Sequence, residues 1–155
     1  MRRKDREIAD MQEIIQIMEQ CDVCRLAFHD QDYPYMVPMN FGMKVEGKKI
    51  TLYFHSAQKG KKLELLARDP RVAFEMDRGH RLVLDDEKMA CTMAYECVMG
   101  RGRVELVPEE EKYEALCLLM KHYHQEDFPF SKASIPHTAV LRLQVEEVTG
   151  KACRK

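Results

Sequence analysis

The stretch Tyr35-Met36-Val37-Pro38-Met39-Asn40-Phe41-Gly42-Met43 decides the fold class. Tyr35, Val37, Met39, Phe41 and Met43 occupy alternate positions, and a period of two is the mark of a β-strand. Proline cannot donate to a ladder and glycine packs no side chain, so Pro38 and Gly42 predict a local gap or bulge where a ligand can approach. Downstream, Glu46-Gly47-Lys48-Lys49 has turn chemistry and leads into a returning strand. Ile50, Leu52 and Phe54 share its core face, opposite Thr51, Tyr53 and His55, so His55 ends that strand on the non-core side.

Upstream, Ile8, Met11, Ile15 and Met18 recur at helical spacing, widened by Ile14 and Ile17, and predict an amphipathic helix over about residues 5–20. Residues 23–28 read as a short strand, closed by the turn cluster Asp30-Gln31-Asp32-Tyr33-Pro34. Beyond His55, Leu63, Leu66 and Ala67 predict a helical stretch within residues 56–69, stopped at Asp69-Pro70. Val72, Phe74 and Met76 give a further strand. The polar residues 77–89 read as a loop with a short strand around 82–84, and residues 90–107 as a long strand that Gly100 and Gly102 allow to bend. Pro108 followed by Glu109, Glu110 and Glu111 suits the positive end of a helix dipole, giving a helix over about 109–123 with a buried stripe of Leu116, Leu119, Met120 and Tyr123. A loop over residues 126–136 precedes a last strand, 138–148, whose inward set is Ala139, Leu141, Leu143 and Val145. About six strands in meander order favour a small antiparallel barrel over a βαβ sheet.

A chain of 155 residues is one domain's length, with no repeat or linker to divide it. Hydrophobic residues at 45% and charged residues at 33% supply one ordinary core and exclude wholesale disorder. A net charge of -1 gives no global positive field, so no nucleic-acid partner is expected. The start of the chain lacks the apolar run of a signal peptide, and the longest purely apolar run, residues 115–120, is far short of the roughly 20 needed to cross a bilayer. No membrane partner is expected. Six cysteines without a regular framework read as reduced thiols and a cytoplasmic address.

The most chemically suggestive segment is His55-Ser56-Ala57-Gln58-Lys59-Gly60-Lys61-Lys62, a strand end running into a helix start. Helix N-terminal amides are unsatisfied donors, and lysines add full charges, so the arrangement suits a phosphomonoester. The same lysines also suit a solvated first turn, and the Walker spacing is absent. Cys21-x-x-Cys24 has no second pair to complete a zinc site, and a spacing of three on a strand puts the thiols on opposite faces. No metal is expected. His122 and His124 point in different directions on a helix and read as surface or satisfied histidines. Cys91 and Cys97 have no evident partner base, and neither G-x-S-x-G nor HExxH occurs.

Taken in order, the blocks Arg25-Leu26-Ala27, Pro34 through Gly42, Leu52-Tyr53-Phe54-His55-Ser56-Ala57, Gly60-Lys61-Lys62, Ala90-Cys91, Tyr95 through Gly102, Glu111-Lys112 and Leu119-Met120-Lys121-His122 carry a resemblance over nearly the whole chain. The sequence resembles the Nim family, the 5-nitroimidazole-resistance branch of the pyridoxamine 5'-phosphate oxidase-like, FMN-binding split-barrel proteins. The resemblance implies a mainly β chain with peripheral helices: a single domain over residues 1–155, folded as a six-stranded antiparallel split β-barrel of Greek-key type. It also implies a homodimer with FMN in a cleft shared by both subunits. By position, Lys61 and Lys62 match the basic pair that holds the FMN phosphate, with His55 and Ser56 beside it. Pro38, Met39, Asn40 and Phe41 match the strand lying against the flavin ring, and Tyr95 is a further contact from the far side. His55 matches a histidine of functional importance in the family, either as proton donor or as a group that only binds cofactor. Cys97 stands where the family more often has serine.

The implied activity is that of a flavin-dependent oxidoreductase in which NAD(P)H reduces FMN and a small acceptor, such as a nitroaromatic, takes the electrons. The alternatives are a non-catalytic flavin-binding or redox-sensing protein, and a haem-binding split barrel with a histidine such as His137 as axial ligand.

Overall fold

The computed structural model describes residues 3–124, 126 and 128–154. After a 3-10 turn at Lys4–Arg6 come β1 (Glu7–Ile8), α1 (Met11–Glu19), β2 (Cys24–Phe28), β3 (Tyr35–Met39), β4 (Gly42–Glu46) and β5 (Lys49–Ala57). These are followed by α2 (Lys61–Arg68), β6 (Arg71–Asp85), β7 (Ala90–Leu106), the 3-10 turn Glu109–Glu111, α3 (Lys112–Tyr123), the 3-10 turn Lys132–His137 and β8 (Thr138–Cys153).

All pairings are antiparallel and form one sheet in the order β3-β2-β6-β7-β8-β5-β4, with β1 paired to β8 beside it. The strand β8 is long enough to carry β7 on one edge and, on the other, first β5 and then β1. The two ends of the sheet, β3 and β4, are consecutive in the chain and joined only through Asn40 and Phe41. So short a link requires the sheet to roll until its edges approach each other. No ladder joins β3 to β4 among the described residues, and the sheet is not closed into a barrel.

The mainly β architecture agrees with the sequence, but the expected six strands are eight among the described residues. One addition arises because the alternating stretch 35–43 is two strands: the ladder with β2 ends at Met39, and the chain crosses to pair with β5 from Gly42. The other is β1, where the expected leading helix starts late because Glu7–Ile8 pairs with β8 and Asp10 caps α1 by accepting from the Gln12 amide. The polar stretch 77–89 also departs from expectation. Arg78 to Asp85 continue β6 along β7 as a two-stranded ribbon, because strand pairing satisfies the backbone even where side chains are polar. Similarly, β5 continues to Ala57 and α2 begins only after Gly60, whose φ of 139° suits glycine. The buried residue of α2 is Leu65, with Leu63 and Leu66 half-buried and Ala67 exposed. The expected loop over 126–136 includes Asp127, which lies outside the described residues, and its later part is the 3-10 turn ending at His137.

One core fills the inside of the rolled sheet, with Met18, Leu26, Phe28, Phe41, Phe54 and Leu141 among its fully buried large side chains. Each such residue contributes about 1.5–3 kcal/mol of burial. On the opposite face of β5, Tyr53 packs with Val107, Ala115 and Val140, so α3 covers what the alternation alone marks as an outward face. The stripe of α3 is accordingly rotated from the expected one, with Lys112, Ala115 and Leu119 buried. This helix lies close on β4: a Cβ on Gly42 would stand 2.5 Å from the backbone nitrogen of Leu119.

Candidate functional site

The site begins where β4 stops. The last β4–β5 pair is Gly42 with Tyr53, so His55, Ser56 and Ala57 run past the end of β4 while pairing with Val140, Ala139 and Thr138 on β8. Their other edge carries no strand pairing among the described residues. Gly60, Lys61 and Lys62 then open α2 beside this strand end. Lys61 reaches the facing side: its Nζ lies 2.6 Å from a carboxylate oxygen of Asp30 and 5.0 Å from the centre of the Tyr35 ring. The start of α2 thus sits against the turn between β2 and β3. A hydrogen bond from Lys61, supported by the Gln31 amide, holds the Asp30 carboxyl below the usual carboxylate range.

Along β3, Pro38 pairs with Arg25 on β2 and has its other edge free, which suits a residue that cannot donate. Pro38 and Asn40 are exposed, whereas Met39 and Phe41 are buried and offer a ligand only their backbone. The Phe41 amide already donates to the Tyr123 hydroxyl at 3.0 Å, and that hydroxyl donates to the Asp22 carbonyl at 2.7 Å. His122 lies against Phe41, ring centres 4.2 Å apart, with Nε2 2.7 Å from the Cys21 carbonyl, so it is a satisfied histidine of the packing.

Tyr95 stands apart from this group. It pairs with Cys153, at the opposite end of β8 from the Val140 partner of His55. Burial alone raises its phenol, but Lys151 and Arg6 outweigh that and bring it below its ordinary value. Within one chain, then, Lys61 alone of the expected site residues on β5 and α2 touches the β2–β3 side, His55 lines a cavity against α3, and Tyr95 lies at the far end of β8.

Cys21 and Cys24 are both buried free thiols. Burial pushes Cys21 up to about 12 and raises Cys24 as well. Cys97 is raised to about 11 by burial and the charge of Glu75, whose carboxylate accepts from its thiol at 3.6 Å. No group of three or more His, Cys, Asp or Glu is set to hold a metal ion among the described residues.

Asp30 and Tyr35 were not singled out from the sequence. Asp30 belongs to a cluster whose composition signals only a turn, and nothing local indicates that Lys61 folds back onto it. A cavity of about 740 Å³ adjoins the site at Asp30 and includes neither His55 nor the lysine pair. Its polar lining is ill suited to a phosphate: Arg71 is taken by Asp69 at 2.7 Å and Arg101 by Glu147 at 2.5 Å, with Asp32 and Glu146 adding further negative charge.

Residues 10–152 match the model of the pyridoxamine 5'-phosphate oxidase family, and the chain belongs to that family. Among solved structures it is similar to a candidate 5-nitroimidazole antibiotic resistance protein from Bacteroides thetaiotaomicron, at 36% identity over 94% of this chain and 86% of that one, with a TM-score of 0.83. The flavocytochrome Anf3 from Azotobacter vinelandii shares the fold at 20% identity, covering 100% of this chain and 72% of that one, with a TM-score of 0.80. An FAD- and haem-binding protein from Mycobacterium smegmatis shares it at 15% identity, covering 97% and 74%, with a TM-score of 0.81. No curated protein matches the sequence. No helix among the described residues is long and apolar enough to cross a membrane.

Proposed function

We propose that this protein is an FMN-dependent oxidoreductase, a homodimeric NAD(P)H-linked reductase of a small acceptor such as a nitroaromatic. The observation that carries the reading is the position of Lys61: at the start of α2, beside the free edge of His55–Ala57, reaching Asp30 and Tyr35 across the cleft. A phosphomonoester calls for cations and unsatisfied amides converging at an open edge, and Lys61, Lys62 and the first turn of α2 fit that demand. The free edge of β3 at Pro38, with the exposed Asn40 amide beyond it, fits the polar rim of a flat ring.

When bound, FMN supplies the two-electron exchange between a nicotinamide donor and an acceptor. The chain's own residues supply the rest. Lys61 and Lys62 anchor the phosphate, the edges of β3 and β5 orient the ring, and His55, whose imidazole has no hydrogen-bond partner among the described residues, holds a proton for the acceptor. The nitroimidazole link of the Bacteroides relative supports the acceptor class.

Two features support the shared-site dimer. Tyr95 joins His55 only if it comes from a second copy, and Leu82, Leu84 and Met93 form an exposed apolar stripe on the β6–β7 ribbon. The reading is tested by an anaerobic visible spectrum of the FMN-loaded protein. Bleaching on NADPH and recovery on 4-nitrobenzamide are expected; bound flavin that stays oxidised would overturn the reductase, and a Soret band in the purified protein would favour haem instead.

A further inference from the structure

We propose that the apolar slot between α3 and residues 128–138 is the seat of the acceptor, and that it selects a neutral, planar aromatic ring over an anionic one. The inference rests on the reductase reading. Two cavities meet there: an inner one of about 230 Å³ that includes His55, Leu116, Leu119 and Thr138, and an outer one of about 500 Å³ that includes Tyr113 and Phe128. Both are lined by Met120 and Phe130, so they adjoin at those two side chains, with His55 lining the inner one. Small-molecule sites commonly occupy roughly 300–1,000 Å³, a range that the outer cavity falls within and the inner one falls just short of.

The lining sets the chemistry. Phe130 is tilted at 37° to Tyr113, with ring centres 5.3 Å apart, and lines the cavity together with Met120, a combination that suits a flat ring. The Thr138 hydroxyl is committed to the Ser134 carbonyl at 2.9 Å. Among the described lining residues of the inner cavity, His55 alone is titratable; Lys121 and Glu126 stand only in the outer one. The inner cavity offers an anion no permanently charged side chain, whereas a neutral nitro or carbonyl group needs a single donor, which the His55 imidazole supplies.

The test uses oxidised, FMN-loaded protein without reductant, labelled with ¹³C at the methionine methyls, the Met120 signal being assigned with Met120→Leu. Titration with 4-nitrobenzamide is expected to shift Met120 saturably, and the isosteric anion 4-nitrobenzoate to bind roughly tenfold more weakly. Phe130→Ala, with Phe130→Leu as the milder variant, is expected to weaken 4-nitrobenzamide by a similar factor while FMN affinity holds. Equal binding of the two probes, or shifts that leave Met120 unmoved, would overturn the slot. Retained flavin with no Met120 shift removes the slot alone; a Met120 shift in protein that retains no flavin supports the slot and removes the reductase.

Discussion

Lys61 and Asp30 form an ion pair, Nζ to carboxylate 2.6 Å, that joins the first turn of α2 to the β2–β3 turn. A flavin phosphate at Lys61 must compete with that carboxylate. Asp30→Asn is therefore expected to tighten FMN by about two- to fivefold, the scale of an exposed ion pair, and to leave riboflavin, which has no phosphate, unchanged. Titration calorimetry with both ligands reads the difference. Because the folded Asp30 lies below its ordinary value of 3.8, the contact is complete at neutral pH and is lost as pH falls through the depressed value.

The crossing from β3 to β4 hangs on Tyr123, whose hydroxyl accepts from the Phe41 amide and donates to the Asp22 carbonyl. Tyr123→Phe leaves that amide without its acceptor. Urea unfolding should show a loss of about 1–3 kcal/mol with an unchanged m-value, and stability equal to wild type would mean that the crossing is held otherwise.

The stripe of Leu82, Leu84 and Met93 places large apolar side chains in the open on one face of the ribbon. If a second copy covers them, Leu84→Glu yields a monomer by light scattering and weakens FMN, since Tyr95 is then withdrawn. A dimer that survives the substitution removes the ribbon from the interface.

Burial raises the thiols of Cys21 and Cys24, so little thiolate exists near neutral pH and access is closed as well. With a thiol reagent at pH 8, both should remain unmodified until urea unfolds the chain. Rapid modification of either in the native protein would contradict their burial in the core.

Local pattern carried the strands far. The alternation of residues 35–43 and the weak points Pro38 and Gly42 were legible, and the chain does leave one sheet edge for the other between them. That the two halves pair with different partners was not legible, because a period of two records which face is buried and nothing about the neighbour. The continuation of β6 over residues 77–85 was read as a loop with a short strand around 82–84 for a related reason: its exposed faces carry no core pattern, and pairing with β7 holds it. At the site, His55, Ser56, Lys61 and Lys62 were legible because they adjoin in sequence. Asp30, Tyr35 and the slot at Phe130 were not, since each meets the site through contacts between distant segments.

The central claim is that Lys61 and Lys62 hold a flavin phosphate beside His55. The most direct measurement is the dissociation constant of FMN and of riboflavin for the wild type and for Lys61→Ala/Lys62→Ala, read by quenching of flavin fluorescence. The account predicts that FMN binds the wild type well ahead of riboflavin and that the double variant brings the two together, a loss on the order of a hundredfold for two charge-assisted contacts to a phosphate. FMN affinity unchanged in the double variant, or no flavin binding by the wild type, would contradict it.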